Sequence, residues 1–175
     1  ENSKKSKKLN VKYKIHNVGK SIFKIINLIL KLKEKQTTHT RIHLLENGEK
    51  NGLGTAYIAG FKWCLARSYA YIFEMDCDFS HNPEDLIRLR VPCAEGGAGM
   101  SVGSRYVKGG GVANWPINRL ILSYGASLYV NLTLGLGVRD STAGFVCYRR
   151  ETLEAIRLDA VQFVGYAFQI EMKLR

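Results

Sequence analysis

The chain has 175 residues, 46% of them hydrophobic, and its 26 Lys and Arg against 15 Asp and Glu give a net charge of +11. This length favours a single domain. No run of about 18 uncharged apolar residues is present to form a membrane-spanning helix, and 17 Gly beside only 3 Pro is not a disordered composition. We expect free thiols in a reducing compartment, because no C-x-x-C pair occurs among the cysteines at positions Cys64, Cys77, Cys93 and Cys147.

The positive charge is concentrated in residues 1–40, which hold eleven Lys and two Glu, whereas residues 41–175 carry a net charge of only +2. Residues 21–33 place apolar side chains at helical spacing among lysines, which predicts a short basic amphipathic helix. Such a helix can pack on a domain, lie on a membrane surface or belong to non-native sequence. Nucleic-acid binding is a further alternative because lysine clusters attract phosphate, although the segment has no Arg and no recognised reader motif.

From Arg41 onwards, strand and helix signals alternate, as is typical of an α/β layered domain. The predicted order is strand 41–46, helix 52–67, strand 70–75, helix 83–91, strand 98–104, a Gly-rich loop over 105–116, helix 117–134, strand 145–148, and helices 151–156 and 166–175. Asn82 is suited to cap the helix at 83–91. The helix at 117–134 is apolar over most of its circumference, which favours burial in the core over contact with a membrane. Gly109–Gly111 predict either a mobile lid or a flexible turn.

Two carboxylates, Asp76 and Asp78, follow the apolar strand predicted at 70–75. Ligands of open α/β sheets bind at the carboxyl ends of strands. Two Asp at this spacing can face one hard cation, Mg²⁺ or Mn²⁺, whose shell is completed by water and phosphate oxygens. By itself this pair is a weak indication of a metal site, because two acids that cap the next helix or stay solvated give the same pattern. Arg105 and Arg119 are either phosphate-binding guanidinium groups or ordinary surface cations.

Seven short motifs follow one another along residues 41–175: Gly52-Leu-Gly-Thr-Ala-Tyr-Ile-Ala-Gly, Met75-Asp-Cys-Asp-Phe-Ser-His-Asn-Pro, Gly103-Ser-Arg-Tyr, Trp115-Pro, Asp140-Ser-Thr-Ala-Gly-Phe, Tyr148-Arg-Arg and Tyr166-Ala-Phe-Gln-Ile-Glu-Met. In order and spacing they resemble the polyprenol (dolichyl) phosphate mannosyltransferases, inverting glycosyltransferases of family 2. The resemblance implies an α/β, Rossmann-like GT-A domain with a mixed central sheet flanked by helices. It also implies transfer of mannose from GDP-mannose to polyprenyl phosphate, at the cytoplasmic, inner face of the membrane, without nucleic acid as a partner.

The resemblance assigns the metal and donor roles to the segment after the strand at 70–75. Asp76, Asp78 and Ser80 match the positions that hold Mg²⁺ or Mn²⁺. The same residues, with Cys77 contributing backbone where the family usually has Ala, match the sugar-nucleotide site. Asp78 is one of the two residues to which we assign a catalytic role.

Three further residues match positions that face phosphate groups or border the site. Arg105 matches an arginine that contacts phosphate and is the second residue with a catalytic role. Arg119 is a looser match to a basic residue that faces the lipid phosphate, and Gln169 lies beside the substrate site. Glu171 receives no role, because an ion pair with a basic neighbour on its own helix explains it equally well.

The chemistry of this transfer does not require a strong base. Negative charge builds on the leaving diphosphate, and a divalent ion with an arginine stabilises it. A lipid monophosphate, with a second pKa of about 6, is already largely a dianion at neutral pH. A glycosidase, in contrast, needs two carboxylates that flank the bond. We therefore expect His81 to be a turn residue rather than a catalyst.

The sequence departs from the family at both ends. The Pro-Thr-Tyr-Asn-Glu and Asp-Asp motifs that open family members are absent, and the family continues beyond Arg175. We therefore expect an incomplete domain over residues 41–175, preceded by an atypical segment over 1–40, and weak or no transfer by this chain. Two alternatives are open: another donor such as UDP-glucose, or a non-catalytic basic module that binds a membrane or nucleic acid.

Overall fold

The computed structural model describes residues 33–45, 52–76, 80–107 and 116–175, and it divides the chain into two units, Glu1–Glu46 and Asn47–Arg175. In the first unit, a helix spans 33–38 and residues 42–45 have no regular structure. The prediction of a strand at 41–46 is therefore wrong for residues 41–45, the part of that range that the structure describes. After the helix the chain turns, with the backbone N–H of Ile42 donating to the carbonyl of His39 at 3.1 Å.

The second unit contains the predicted elements in the predicted order. They are α1 (Leu53–Leu65), β1 (Tyr71–Glu74), α2 (Asp85–Ala94), β2 (Met100–Val102), α3 (Ile117–Leu134), β3 (Val146–Arg149), α4 (Arg150–Ala155), a 3-10 helix (Leu158–Ala160) and α5 (Ala167–Leu174). The prediction that Asn82 caps this helix is wrong: α2 begins at Asp85, its N-cap is Glu84, and no side chain caps it. The Oδ1 of Asn82 instead accepts a hydrogen bond from the backbone N–H of Glu84 at 3.1 Å, within the turn that precedes the helix. Helix α2 continues three residues past the predicted end and includes Pro92 in its last turn.

The three described strands form one sheet in the order β1-β3-β2, and β3 pairs antiparallel with both neighbours. Glu74 at the end of β1 and Val102 at the end of β2 both pair with Val146, the first residue of β3. The carboxyl ends of β1 and β2 therefore meet the segment that precedes β3 at one edge of the sheet. Among the described strands, β3 occupies the central position of the sheet.

Strand β3 packs helices on both faces because its side chains alternate between them. Val146 and Tyr148 belong to the larger core cluster, which includes residues of α1, α4 and α5. Cys147 belongs to the smaller cluster on the opposite face, with Leu89 and Cys93 of α2. This arrangement of helices on both faces of a sheet confirms the predicted α/β class.

Helix α3 is exposed, and the prediction that it belongs to the core is wrong. Ile117, Ile121 and Leu132 are 76%, 66% and 77% exposed. Polar residues hold the helix instead: Ser127 is buried, and the Asn131 side chain donates to the Val138 carbonyl at 2.6 Å and accepts from its N–H at 3.1 Å. Because α3 carries apolar residues on most of its sides, apolar pattern does not select the side that faces the domain, and these hydrogen bonds select it instead. Among the described residues, no helix combines the length and apolar character that a membrane crossing requires.

The contrast between α3 and the core predicts unequal costs for two leucine truncations. Leu153 on α4 is fully buried, so Leu153→Ala should lower the free energy of unfolding by about 2–5 kcal/mol. Leu132 on α3 is 77% exposed, so Leu132→Ala should change it by less than about 0.5 kcal/mol. Urea denaturation of both variants measures these values, and an equal loss in the two would contradict the exposed position of α3.

Candidate active site

The sheet edge formed by the ends of β1 and β2 gathers several of the predicted site residues. Asp76 lies two residues after β1, and Arg105 lies three residues after β2. Gln169 is buried on α5, and Ser80 is exposed. Cys77, Asp78 and the glycines at 109–111 lie outside the described residues, as does the side chain of Arg119 in the first turn of α3.

The Asp76 carboxylate lies between α1, α5 and the segment before β3. The Tyr57 hydroxyl, on α1, donates a hydrogen bond to its Oδ1 at 2.8 Å. A side-chain carbon at Gly144 would lie 3.4 Å from its Oδ2 and 3.5 Å from Nε2 of Gln169. The structure thus brings Asp76 and Gln169 together across the bare backbone of Gly144.

Arg105 is held in a fixed plane by Asp140, which is fully buried. Its Nε and Nη2 atoms donate to the two carboxylate oxygens at 2.7 and 2.6 Å, and its backbone N–H donates to Oδ2 at 3.1 Å. Nη2 also donates to the Thr142 hydroxyl at 2.8 Å. Hydrogen bonding to Asp140 raises the pKa of Arg105 above its usual value. Sequence reasoning did not identify Asp140 as this partner, although it opens one of the seven motifs.

A chain of buried polar side chains links β1 to α5 and was also missed. Gln169 donates from Nε2 to Oε1 of Glu74, and Lys173 donates from Nζ to the carbonyls of Ala143 at 2.9 Å and Gln169 at 3.0 Å. Burial raises the pKa of Glu74 and lowers the pKa of Lys173. The feature of the sequence that could have indicated this network is Glu74, a single carboxylate within the apolar run at 70–75. These contacts fix the segment before β3 against the end of β1.

Two further residues near the site make contacts that support the fold. Glu171 accepts hydrogen bonds from the backbone N–H groups of Gln162 and Phe163, both at 2.9 Å, and pairs with Arg175 at 2.8 Å. It therefore fastens α5 to the segment that follows the 3-10 helix. His81 lies in the bend before α2, and its ring stacks on Phe145 with a centroid distance of 4.7 Å.

The Glu171 contacts predict an acid-dependent loss of stability. Burial acts to raise the pKa of this carboxyl, but hydrogen bonds from Phe163, Arg175 and Gln162 outweigh it, so the pKa lies below its ordinary value of 4.5. A lowered pKa contributes stability that is present above 4.5 and is lost as the pH falls through the folded-state value. Glu171→Gln should therefore destabilise the chain by about 1–3 kcal/mol at pH 7.

Denaturation of wild type and Glu171→Gln at neutral and acidic pH measures this difference. The two proteins should converge as the pH falls, because protonation removes the charge that the variant lacks. Glu154→Gln is the matched control, since Glu154 is an exposed carboxylate paired at i,i+4 with Arg150. A constant gap between wild type and Glu171→Gln at every pH would contradict the prediction.

The amino-acid sequence matches the family described as Glycosyl transferase family 2 over residues 28–157. It is 50% identical over 135 residues to "Polyprenol monophosphomannose synthase" of Mycolicibacterium smegmatis, covering 77% of this chain and 51% of that protein. It is 48% identical over 134 residues to "Undecaprenyl-phosphate mannosyltransferase" of Micrococcus luteus, covering 77% and 54%.

A third relative, "Dolichol-phosphate mannosyltransferase" of Pyrococcus furiosus, is 32% identical over 124 residues, or 70% of this chain and 34% of that protein. The chain thus spans about half the length of the first two relatives. The matched family region contains the described sheet, Asp76 and the Arg105–Asp140 pair. Because this match covers well over half of the sequence, the chain belongs to glycosyl transferase family 2, as its seven motifs predicted.

Proposed function

We propose that this chain takes part in the transfer of mannose from GDP-mannose to a polyprenyl phosphate, with inversion at the sugar. The observation that carries this proposal is that Asp76 and the Arg105–Asp140 pair lie at the same edge of the sheet, since Asp76 follows the carboxyl end of β1 and Arg105 follows that of β2. The printed names of three relatives, each a mannosyltransferase or phosphomannose synthase, support mannose as the sugar and a polyprenyl phosphate as the acceptor.

The donor diphosphate calls for a divalent cation, Mg²⁺ or Mn²⁺, at Asp76, Asp78 and Ser80. The described residues include no cluster of three or more His, Cys, Asp and Glu side chains that could hold a metal. Asp76, Asp78 and Ser80 fit a hard cation that takes one or two carboxylates and completes its shell with water and substrate phosphate. Asp76 suits this role because Tyr57 occupies its Oδ1 while Oδ2 faces Gly144, where no side chain intervenes. A bound cation would neutralise charge on the leaving diphosphate.

Arg105 supplies fixed positive charge for the same leaving group. Two of its nitrogens bind Asp140, so its guanidinium plane is oriented before substrate arrives and needs no reorganisation during the reaction. In this proposal Arg119, near the amino end of α3, faces the phosphate of the lipid acceptor, and Gln169 borders the donor.

The exposed face of α3 is the proposed approach for the lipid. Ile117, Ile121, Leu128 and Leu132 recur at helical spacing and are all at least half exposed. A contiguous apolar stripe of this kind marks an interaction surface. We place it against the membrane surface because the acceptor's isoprenoid tail resides in the bilayer and Arg119 lies on the same helix. The family resemblance alone suggests the cytoplasmic side.

The donor proposal predicts that both carboxylates are needed for metal-dependent binding. Asp78→Ala and Asp76→Asn should weaken GDP-mannose binding in the presence of Mn²⁺ by at least about tenfold, because each removes a carboxylate ligand. Asp159→Asn is the control, since Asp159 is an exposed aspartate on the 3-10 helix. Titration calorimetry with and without Mn²⁺ measures the three variants.

Two results would contradict the donor proposal. Binding of UDP-glucose in place of GDP-mannose would assign a different sugar nucleotide. Unchanged ligand binding in Asp78→Ala, together with its loss when residues 1–40 are deleted, would favour the basic binding module.

The membrane proposal predicts that the α3 stripe contributes to vesicle binding. Ile121→Ser with Leu132→Ser should reduce co-sedimentation with phosphatidylglycerol vesicles that contain polyprenyl phosphate, because the apolar area available for insertion falls. Ile87→Ser is the matched control: Ile87 lies on α2 and is 73% exposed, against 66% for Ile121. If the double variant binds like wild type while deletion of residues 1–40 abolishes binding, the Lys-rich segment is the membrane contact instead.

A further inference from the structure

We propose that Tyr57 is a positioning residue, whose hydroxyl orients the Asp76 carboxylate so that Oδ2 is presented to the cation and the donor diphosphate. This inference rests on the proposed function of Asp76. It also gives a role to the motif Gly52-Leu-Gly-Thr-Ala-Tyr-Ile-Ala-Gly, which contributes no side chain to the metal and donor residues assigned above.

The hydrogen bond selects one of the two carboxylate oxygens. The Tyr57 hydroxyl donates to Oδ1 of Asp76 at 2.8 Å, across 19 residues of sequence. The terminal torsion of an aspartate is broad and roughly two-fold, so an aspartate after the end of a strand has no strong orientation of its own. A donor on Oδ1 fixes that torsion and directs Oδ2 toward Gly144.

The Tyr57 ring is held by buried aromatic residues, so the hydroxyl is itself well placed. It stacks on Phe168 with a centroid distance of 5.9 Å and an interplanar angle of 5°, and on Phe61 at 6.2 Å and 25°. Phe168 is fully buried and Phe61 is 2% exposed. Both partners belong to the core cluster that contains β3, and the position of the hydroxyl is therefore tied to the sheet.

Gly54 permits this arrangement by letting α1 lie close to α5. A side-chain carbon at Gly54 would lie 2.8 Å from the Phe168 ring and 2.8 Å from the Phe163 carbonyl. Gly54 and Tyr57 are three residues apart and so share one face of the helix. The motif thus combines a glycine that allows close helix packing with a tyrosine that this packing brings within reach of Asp76.

Tyr57→Phe tests the inference, because it removes the hydroxyl and keeps the stacked ring. Loss of an outer partner of a metal ligand typically lowers metal affinity by about 10- to 100-fold, and we expect at least the lower value for Mn²⁺ in the presence of GDP. Electron paramagnetic resonance of free Mn²⁺ measures this without turnover. The matched control is Tyr69→Phe, since Tyr69 is exposed and its ring stacks on Trp63.

Two further measurements separate positioning from a purely structural effect. Tyr57→Phe should bind GDP without metal as wild type does and should unfold at a similar temperature, because the ring contacts remain. A parallel fall in metal-free GDP affinity and unfolding temperature would show that the hydroxyl only supports the fold, and would overturn the inference.

Asp76→Asn in the same titration distinguishes this inference from the proposed function. If Asp76→Asn lowers Mn²⁺ affinity while Tyr57→Phe matches wild type, the positioning role alone is overturned. If Asp76→Asn also matches wild type, or if the wild-type chain binds no Mn²⁺ with GDP, the proposed function fails and the inference with it.

Discussion

The site depends on the backbone pairing of β3 with two strands at once. Val146 lies opposite both Glu74 and Val102, and this register places the residues after β1 and β2 beside the segment that enters β3. A shift of one residue would turn every side chain of a strand to the other face. Complete burial of Val146, Cys147 and Tyr148 resists such a shift, because both faces of β3 would lose their packing.

Around this edge, side chains rather than further strands fix the irregular segments. Asp140 holds Arg105, Lys173 holds the carbonyl of Ala143, and Glu171 holds the backbone before α5. Buried backbone groups outside helices and strands need such partners. Every buried side-chain nitrogen and oxygen of the described residues has a hydrogen-bond partner, so the geometry of the edge is specified from several directions.

The elements of the second unit could be predicted because apolar periodicity is a local property of the sequence, and even the bounds of α3 agreed. Contacts between residues that are distant in sequence could not be predicted in this way. The residues around Glu74 give no indication that its partner is Gln169, 95 residues away. The buried side of α3 was misjudged because its apolar residues define no single face. For the site, strand ends predicted the location of Asp76 and Arg105, whereas the place of Gln169 beside the site came from the family resemblance.

Helix α3 is attached through polar residues and exposes apolar ones, and this arrangement affects how the chain behaves in aqueous solution. Its polar residues, Ser127 and Asn131, are used for attachment, while Ile121 and Leu132 face outward. In water without lipid, other protein molecules offer apolar surface that can cover this stripe. Self-association should therefore rise with concentration and fall in mild detergent, and colloidal behaviour should vary independently of folding stability.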